Sequence, residues 1–409
     1  MTATAYDLII IGAGAAGLMA AAEAGRLGLN VLVLEGQREP GLKLLITGGG
    51  RCNATHARVT AKDFHAGNAH TLRHVLQTFS PHDAVAFFEA LGAPLAVQPS
   101  GEFFAADDKA STVRDALVRA ARHYGAVIEC GRRVISLAAE GTGFNVVGHD
   151  FLRSARKVLV TTGGLSYPAT GSDGSGYVFA GNFGHRLVPA HPALVALFAG
   201  DDSFATLGGI TSPVRLSLWG GGKKLLSVEG PFLFTHQGFS GPAAMEVAGP
   251  WLKAMAQGPV EIRADFLPTV KGEDISTVII PGNRRSIKNI LTAYLPERLV
   301  IVLAQLAKVD PLRPSGELRV DERRALQRSL RACPLPVGDT AGYAKAEVTA
   351  GGVDLEELKG ATLESRLQEG LYFAGEVLDV DGRIGGFNLQ WAWSSAIAAA
   401  RAVARNISK

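Results

Sequence analysis

Two glycine-rich segments at opposite ends of the chain constrain the fold more than any other feature. The first is Gly12-Ala13-Gly14-Ala15-Ala16-Gly17, entered from the apolar run Tyr6 to Ile11. The second runs from Gly370 through Gly375-Glu376 to Gly385-Gly386-Phe387-Asn388 and an apolar helix. The N-terminal segment predicts a strand, a tight turn and a helix over Ala13 to Arg26. Gly12 permits the turn, Gly14 lets backbone approach a pyrophosphate, and Gly17 allows close helix–strand packing. Ala15 and Ala16 sit in the first helical turn, where free N–H groups and a partial positive charge face an anion.

A second predicted strand, Asn30 to Leu34, ends in Glu35, eighteen positions after Gly17. A carboxylate there accepts from adenosine ribose hydroxyls and repels a 2′-phosphate. This first unit suits NAD or FAD equally. A nicotinamide protein does not need the end of its chain beside its first strand, so the C-terminal segment favours FAD. A second strand–GxGxxG–helix unit is missing from the middle, since Pro168 and scattered polar residues interrupt any helix start in the glycine-rich stretch Gly163 to Gly176, which argues against a separate NADPH domain.

A long predicted loop, Gly36 to Thr60, contains Lys43, then Gly48-Gly49-Gly50-Arg51-Cys52-Asn53. Successive glycines suit backbone laid against a ligand. Helices are expected over Leu72 to Phe79, Pro81 to Leu91 and Ser111 to Tyr124, then strands at Ala126 to Cys130 and Arg133 to Leu137. Lys157 to Thr161 reads as a strand ending in Thr162-Gly163-Gly164, where small residues let the chain pass a cofactor. From about Leu187, short turn-bounded segments such as Ala193 to Phe198 suggest a small barrel or sandwich. Ser286 to Leu295, Glu297 to Lys308 and Glu322 to Arg331 read as helices.

The chain resembles the bacterial YhiN/BaiN-type flavoproteins, NAD(P)/FAD-dependent oxidoreductases of mostly unknown substrate. The resemblance rests on Gly12 to Gly17, Lys43 to Asn53, Thr162 to Pro168 with Thr170-Gly171-Ser172, Phe234-Thr235-His236 with Ser240-Gly241-Pro242, Thr349 to Val353, and Leu371 to Gln390. It implies an α/β fold: a glutathione-reductase-type FAD-binding Rossmann domain interrupted by a β-rich, barrel-like domain and a helical lid. The expected boundaries are 1–188 and 349–409 for the FAD domain, 189–265 and 321–348 for the β-rich insertion, and 266–320 for the lid. It further implies that Glu376 grips the ribityl chain, that Gly386, Phe387 and Asn388 bring a helix N-terminus to the flavin pyrimidine edge, and that backbone around Val134 passes the adenine. Arg383 stands where smaller residues are usual, which would bring a cation near the flavin.

The expected cofactor set is therefore Gly12, Gly14, Ala15, Ala16, Gly17, Glu35, Lys43, Gly49, Gly50, Arg51, Cys52, Asn53, Val134, Thr162, Gly163, Gly164, Gly375, Glu376, Gly385, Gly386, Phe387 and Asn388. Catalytic candidates are Arg51, Tyr167 and His236. Arg51 suits a substrate carboxylate or enolate, or the cofactor phosphates. Tyr167 suits proton donation to a double bond, or packing in a turn. His236 suits an acid or substrate contact, or a structural role. A substrate site is expected between the Gly48 to Asn53 loop, the Ser166-Tyr167 turn and the insertion. Cys52 lacks a nearby partner thiol, and the histidines between His56 and His74 lack metal-site spacing.

These features predict a flavin oxidoreductase that reduces an activated double bond, with NAD(P)H as transient electron donor. The alternatives are an FAD-dependent tRNA-modifying enzyme and a non-catalytic flavin-binding protein. A net charge of +3 over 409 residues is too small to argue for nucleic acid or an anionic membrane. With three scattered cysteines, an early first strand and no long apolar run, a cytoplasmic protein without a membrane segment is expected.

Overall fold

Leu8 and Ile10 turn to one core and Ile9 and Ile11 to another, all fully or almost fully buried. That alternation makes Tyr6–Ile11 the middle of a sheet covered on both faces. The computed structural model describes residues 6–270, 278–279 and 284–407. It divides into two units, one of residues up to His191 together with those from Glu347, the other Pro192–Ala346.

In the first unit, Val127–Cys130, Val31–Glu35, Tyr6–Ile11, Leu152–Val160 and Leu371–Phe373 lie side by side in that order, all parallel. Val158↔Leu371 and Val160↔Phe373 set the register of the last strand. The C-terminal segment therefore enters the sheet one strand away from Tyr6–Ile11. On one face the helices Ala15–Arg26, Ala110–His123 and Phe387–Ile407 pack through alanine and glycine, whose small side chains permit close approach. Arg401 Nε donates to Glu23 Oε1 at 2.7 Å, and Arg26 Nε to Glu23 Oε2 at 2.8 Å, clamping the first helix to the last.

In the second unit, seven strands form one antiparallel sheet: Cys333–Leu335, Val260–Asp265, Thr211–Gly220, Lys223–Phe234, Gly238–Ser240, Leu197–Ala199 and Val337–Thr340. Its core is aromatic, with Phe204, Phe232, Phe234, Phe239 and Phe266 linked through ring contacts that centre on Phe234. Pro242–Met255, Ile287–Leu291, Glu297–Leu306 and Val320–Arg331 supply helices to the same core. The expected lid over 266–320 includes residues 271–277 and 280–283, which lie outside the described residues.

Three local expectations change. The segment Gly36 to Thr60 is not all loop: Leu42–Ile46 is helical because Leu44 drops into the core, and Asn53–His56 is a strand. A helix, Ser175–Asn182, starts after Gly174, beyond Pro168. Ala193 to Phe198 is not one strand, since Leu194 takes φ 49°, left-handed backbone that breaks it.

Candidate functional site

The turn after Ile11 is built by contacts only glycine allows. A Cβ on Gly17 would stand 1.9 Å from the Gly12 carbonyl oxygen, and one on Gly12 (φ 102°) would stand 2.7 Å from the Thr161 carbonyl. Gly14 differs: a Cβ there would meet nothing within 4 Å. Gly14 also caps the helix with no side-chain hydrogen bond, so the amides of the first turn, Ala15 to Gly17, face that open space. Open room at a helix N-terminus is what a pyrophosphate requires.

Glu35 stands beside this opening. Its Oε2 accepts from Ala13 N–H at 2.7 Å and its Oε1 from Gln37 N–H at 2.8 Å. Burial raises its carboxyl above the usual range, against the opposing pull of those amides and Arg133. Each oxygen keeps a second acceptor position for a ligand hydroxyl. The 131–134 segment reaches the same place: Arg132 N–H donates to Glu35 O at 2.8 Å, and Val134 follows in a buried strand position.

A second polar centre draws together distant parts of the chain. Lys43 Nζ lies 2.6 Å from both Glu376 Oε2 and Ser166 Oγ, and Ser166 Oγ lies 2.7 Å from Glu376 Oε1. Thr349 N–H donates to Glu376 Oε1 at 2.8 Å, while Thr349 Oγ1 accepts from Leu165 N–H and Ser166 N–H at 2.8 and 3.0 Å. A Cβ on Gly163 would stand 3.8 Å from Glu376 Oε2, and one on Gly164 2.5 Å from Thr349 Oγ1, so both glycines border this centre. Thr162 Oγ1 occupies the space above Gly176, 2.1 Å from where its Cβ would be.

Tyr167, next to Ser166, holds left-handed backbone at φ 52°. Burial and the charge of Glu347 raise its phenol above the ordinary value, keeping it a proton donor at neutral pH. Glu347 is itself raised by burial, with Lys43 opposing. Ser166 belongs to the Ser166-Tyr167 turn expected at the site, whereas Thr349 and Glu347 were not singled out as site residues, because a single threonine or acid carries no spacing signal. The threonine of the Thr349 to Val353 motif was nonetheless a usable clue.

The triple-glycine segment is a tight turn in which Gly48, Gly49 and Gly50 take φ of 57°, 67° and 87°. Gly49 faces open space. Arg51 lies 4.2 Å above the Phe104 ring and 3.9 Å from Asp108 Oδ1, which positions the guanidinium without fixing it. Cys52 is fully buried, and burial pushes its thiol up to about 12, so it is inert as a thiolate nucleophile near neutral pH. The Asn53 amide accepts from Gly386 N–H at 3.1 Å and donates to Thr55 O at 3.2 Å, tying this turn to the C-terminal segment.

At that C-terminal segment, a Cβ on Gly375 (φ 78°) would stand 2.8 Å from Ala16 Cβ. Trp391 Nε1–H donates to Gly375 O at 3.1 Å and Gly375 N–H to Ser395 Oγ at 3.0 Å. The Gly12 to Gly17 turn and the tail therefore share one neighbourhood. Phe387 is buried on His56 (4.9 Å between ring centroids), beneath the left-handed Gly385. The Asn388 amide is taken up by both backbone groups of Gly382, at 2.8 and 2.9 Å. Arg383 pairs with Asp63 at 3.3 Å and lies 5.7 Å from the Phe387 ring.

His236 belongs to the Pro192–Ala346 unit. It edges a cavity of about 350 Å³ lined also by Phe198, Asp201, Asp202, Phe204 and Thr235. Gly208 makes room for its ring, since a Cβ there would stand 2.9 Å from Nδ1. Among the described residues, no group of three or more His, Cys, Asp or Glu is placed to hold a metal ion, and no helix is long and apolar enough to cross a membrane.

A parallel Rossmann sheet, an open glycine turn at a helix N-terminus and a tail folded onto that turn define an FAD-binding flavoprotein of the oxidoreductase class. The HI0933-like protein Rossmann domain family matches residues 6–402, and the chain belongs to that family. It is 34% identical over 403 residues to a ribosomal RNA dihydrouridine synthase of Escherichia coli, covering 97% of each chain. It is 33% identical over 402 residues to a 3-dehydro-bile acid delta(4,6)-reductase of Clostridium scindens, covering 97% of this chain and 98% of that one. Among solved structures it resembles the 3-ketosteroid delta1-dehydrogenase of Sterolibacterium denitrificans, with a TM-score of 0.53 at 16% identity over 98% of this chain and all of that one. It also resembles Mycobacterium smegmatis Sdh1, with a TM-score of 0.52 at 16% identity over 99% of this chain and 69% of that one.

Proposed function

We propose that this protein is an FAD-dependent reductase that adds two hydrogens across a carbon–carbon double bond conjugated to a carbonyl, with NAD(P)H as the electron source. In balance, NAD(P)H gives up two electrons as hydride and becomes NAD(P)+, and the double bond gains that hydride equivalent and one proton. FAD, when bound, supplies the two-electron transfer between donor and acceptor. The observation that carries this reading is the open Gly14 turn flanked by Glu35, with the Lys43–Ser166–Glu376 centre in the same unit. Two relatives that match over nearly the whole chain support the acceptor class, since a dihydrouridine is a uridine with its ring double bond saturated, and the bile-acid enzyme is a reductase.

In this reading Gly12, Gly14, Ala15, Ala16 and Gly17 hold the pyrophosphate, Glu35 the adenosine ribose, and Val134 backbone the adenine. Lys43, Thr162, Gly163, Gly164, Gly375 and Glu376 hold the ribityl region. Gly49, Gly50, Arg51, Asn53, Gly385, Gly386, Phe387 and Asn388 shape the ring pocket, Asn388 by fixing the Gly382 backbone. Cys52 contributes packing. Tyr167 holds the proton that the reduced bond requires, and His236 lines a cavity of its own unit. We take residues 1–188 and 349–409 as the FAD domain, 189–265 and 321–348 as a β-rich insertion, and 266–320 as a helical lid.

The test is anaerobic reduction of the purified yellow protein by NADH and by NADPH, followed by reoxidation with cyclohexenone, uridine-containing RNA and oxygen. Rapid bleaching and reoxidation by a conjugated acceptor is the expected result. No bleaching by either nicotinamide would overturn the donor assignment. A second reading fixes the acceptor as a uracil ring within RNA, and the 34% identity to a ribosomal RNA dihydrouridine synthase favours it.

A further inference from the structure

We propose that the exposed face of helix Val320–Arg331, with the chain packed beside its start, is a docking surface for RNA. The proposal rests on the reading in which the acceptor base lies in RNA. Residues 284–331 contain eleven Lys and Arg against five Asp and Glu, a net +6, in a chain whose total is +3. The rest of the chain thus carries −3, and the near-neutral total hides a concentrated positive segment.

Lys288 pairs with Glu297 and Arg331 with Asp265, but contacts gather part of the remaining charge in one place. Ser286 bridges to Pro314, and Ser315 N–H donates to Arg285 O at 3.0 Å, so Arg284 and Arg285 lie beside the 313–315 chain. Arg313 Nη1 reaches Glu322 Oε1 at 2.8 Å, which joins that chain to the helix. Arg319 also faces acids, Glu322 at 3.3 Å and Asp321 at 3.6 Å. Those two carboxylates are therefore already matched by Arg313 and Arg319. Arg324 and Arg328 follow at i and i+4, both exposed, while Leu326 and Leu330 are fully buried on the opposite face. Side chains at that spacing project together from one helix face.

The chemistry favours a phosphate backbone over a lipid surface. Guanidinium groups pair phosphate oxygens bidentately. A helix lying in a bilayer needs a broad exposed apolar face. Here the apolar face is spent on the core of its own unit, and over residues 284–331 the large apolar side chains left exposed are the scattered Tyr294, Leu306, Leu312 and Val320.

The test is fluorescence anisotropy of the FAD-loaded protein with labelled, deproteinised bacterial ribosomal RNA across a salt series. The variant R324E/R328E should bind at least about 10-fold more weakly, with the slope of log K against log salt flattened by about 1–2. The control K223E/K224E makes the same charge change on an exposed hairpin of the same unit and should stay within about two-fold of the parent. Flavin absorbance, melting temperature and bleaching by NAD(P)H should be unchanged in both. Equal RNA binding by parent and R324E/R328E would overturn the proposal. So would equal losses in the two variants, or tighter binding to phosphatidylserine vesicles than to RNA. RNA docking with no nicotinamide-driven bleaching would instead sink the reductase reading and leave this surface standing.

Discussion

Lys43 and Glu376 lie 333 positions apart in the chain and meet at 2.6 Å, both in contact with Ser166. The pair is about four-fifths buried on each side. Removing one partner leaves the other charge partly desolvated, which costs about 1–3 kcal/mol. Glu376→Gln is expected to weaken FAD binding about 10- to 100-fold, measured by fluorescence titration of apoprotein. Lys43→Met should do the same, and the double variant should lose less than the two single losses combined. Additive losses would show that the two side chains act separately.

Gly17 tests the packing of the first turn. A Cβ 1.9 Å from the Gly12 carbonyl cannot be accommodated without moving either the strand end or the helix. Gly17→Ala is expected to destabilise the protein by at least about 2–4 kcal/mol, read from urea unfolding. An unchanged midpoint and slope would mean that the turn is built differently.

A buried histidine sets a pH dependence of stability. His185 Nε2 lies 2.7 Å from Ser365 Oγ and Nδ1 3.1 Å from Glu357 Oε2. Burial lowers its pKa below 6.5, with Glu357 pulling the other way. The folded form therefore holds His185 neutral where the unfolded chain takes up a proton. Stability from this group is full above pH 6.5 and falls as pH drops from there to the folded value, by at most about 1.4 kcal/mol per unit. Urea unfolding of parent and His185→Asn at neutral and mildly acidic pH isolates the effect. The parent should lose more stability than the variant, and equal losses would remove His185 as the cause.

Much of the cradle was legible because its parts are local. Glycines, a strand and a helix within a few turns leave a spacing signal, as does Glu35 at the end of the next strand. The polar centre was less legible, since Ser166, Thr349 and Glu347 meet Lys43 and Glu376 only after the sheet brings Leu371–Phe373 beside Leu152–Val160. The helix Leu42–Ile46 was hidden by flanking glycines, although burial of Leu44 decides it. Cys52 could not be judged from its neighbours, because its reactivity depends on burial by distant residues. The basic character of helix Val320–Arg331 went unread, because a whole-chain charge of +3 averages it away.

Gly14 gives the most direct measurement. Its φ is −76° and a Cβ there meets nothing within 4 Å, so Gly14→Ala should fold with stability within about 0.5 kcal/mol of the parent. The added methyl would occupy the space assigned to the pyrophosphate. Titration of FAD into the two apoproteins should give one site per parent chain and at least about 30-fold weaker binding for Gly14→Ala, the loss of about 2 kcal/mol of backbone contact. Equal FAD affinity in two equally stable proteins would contradict a dinucleotide seated on this turn.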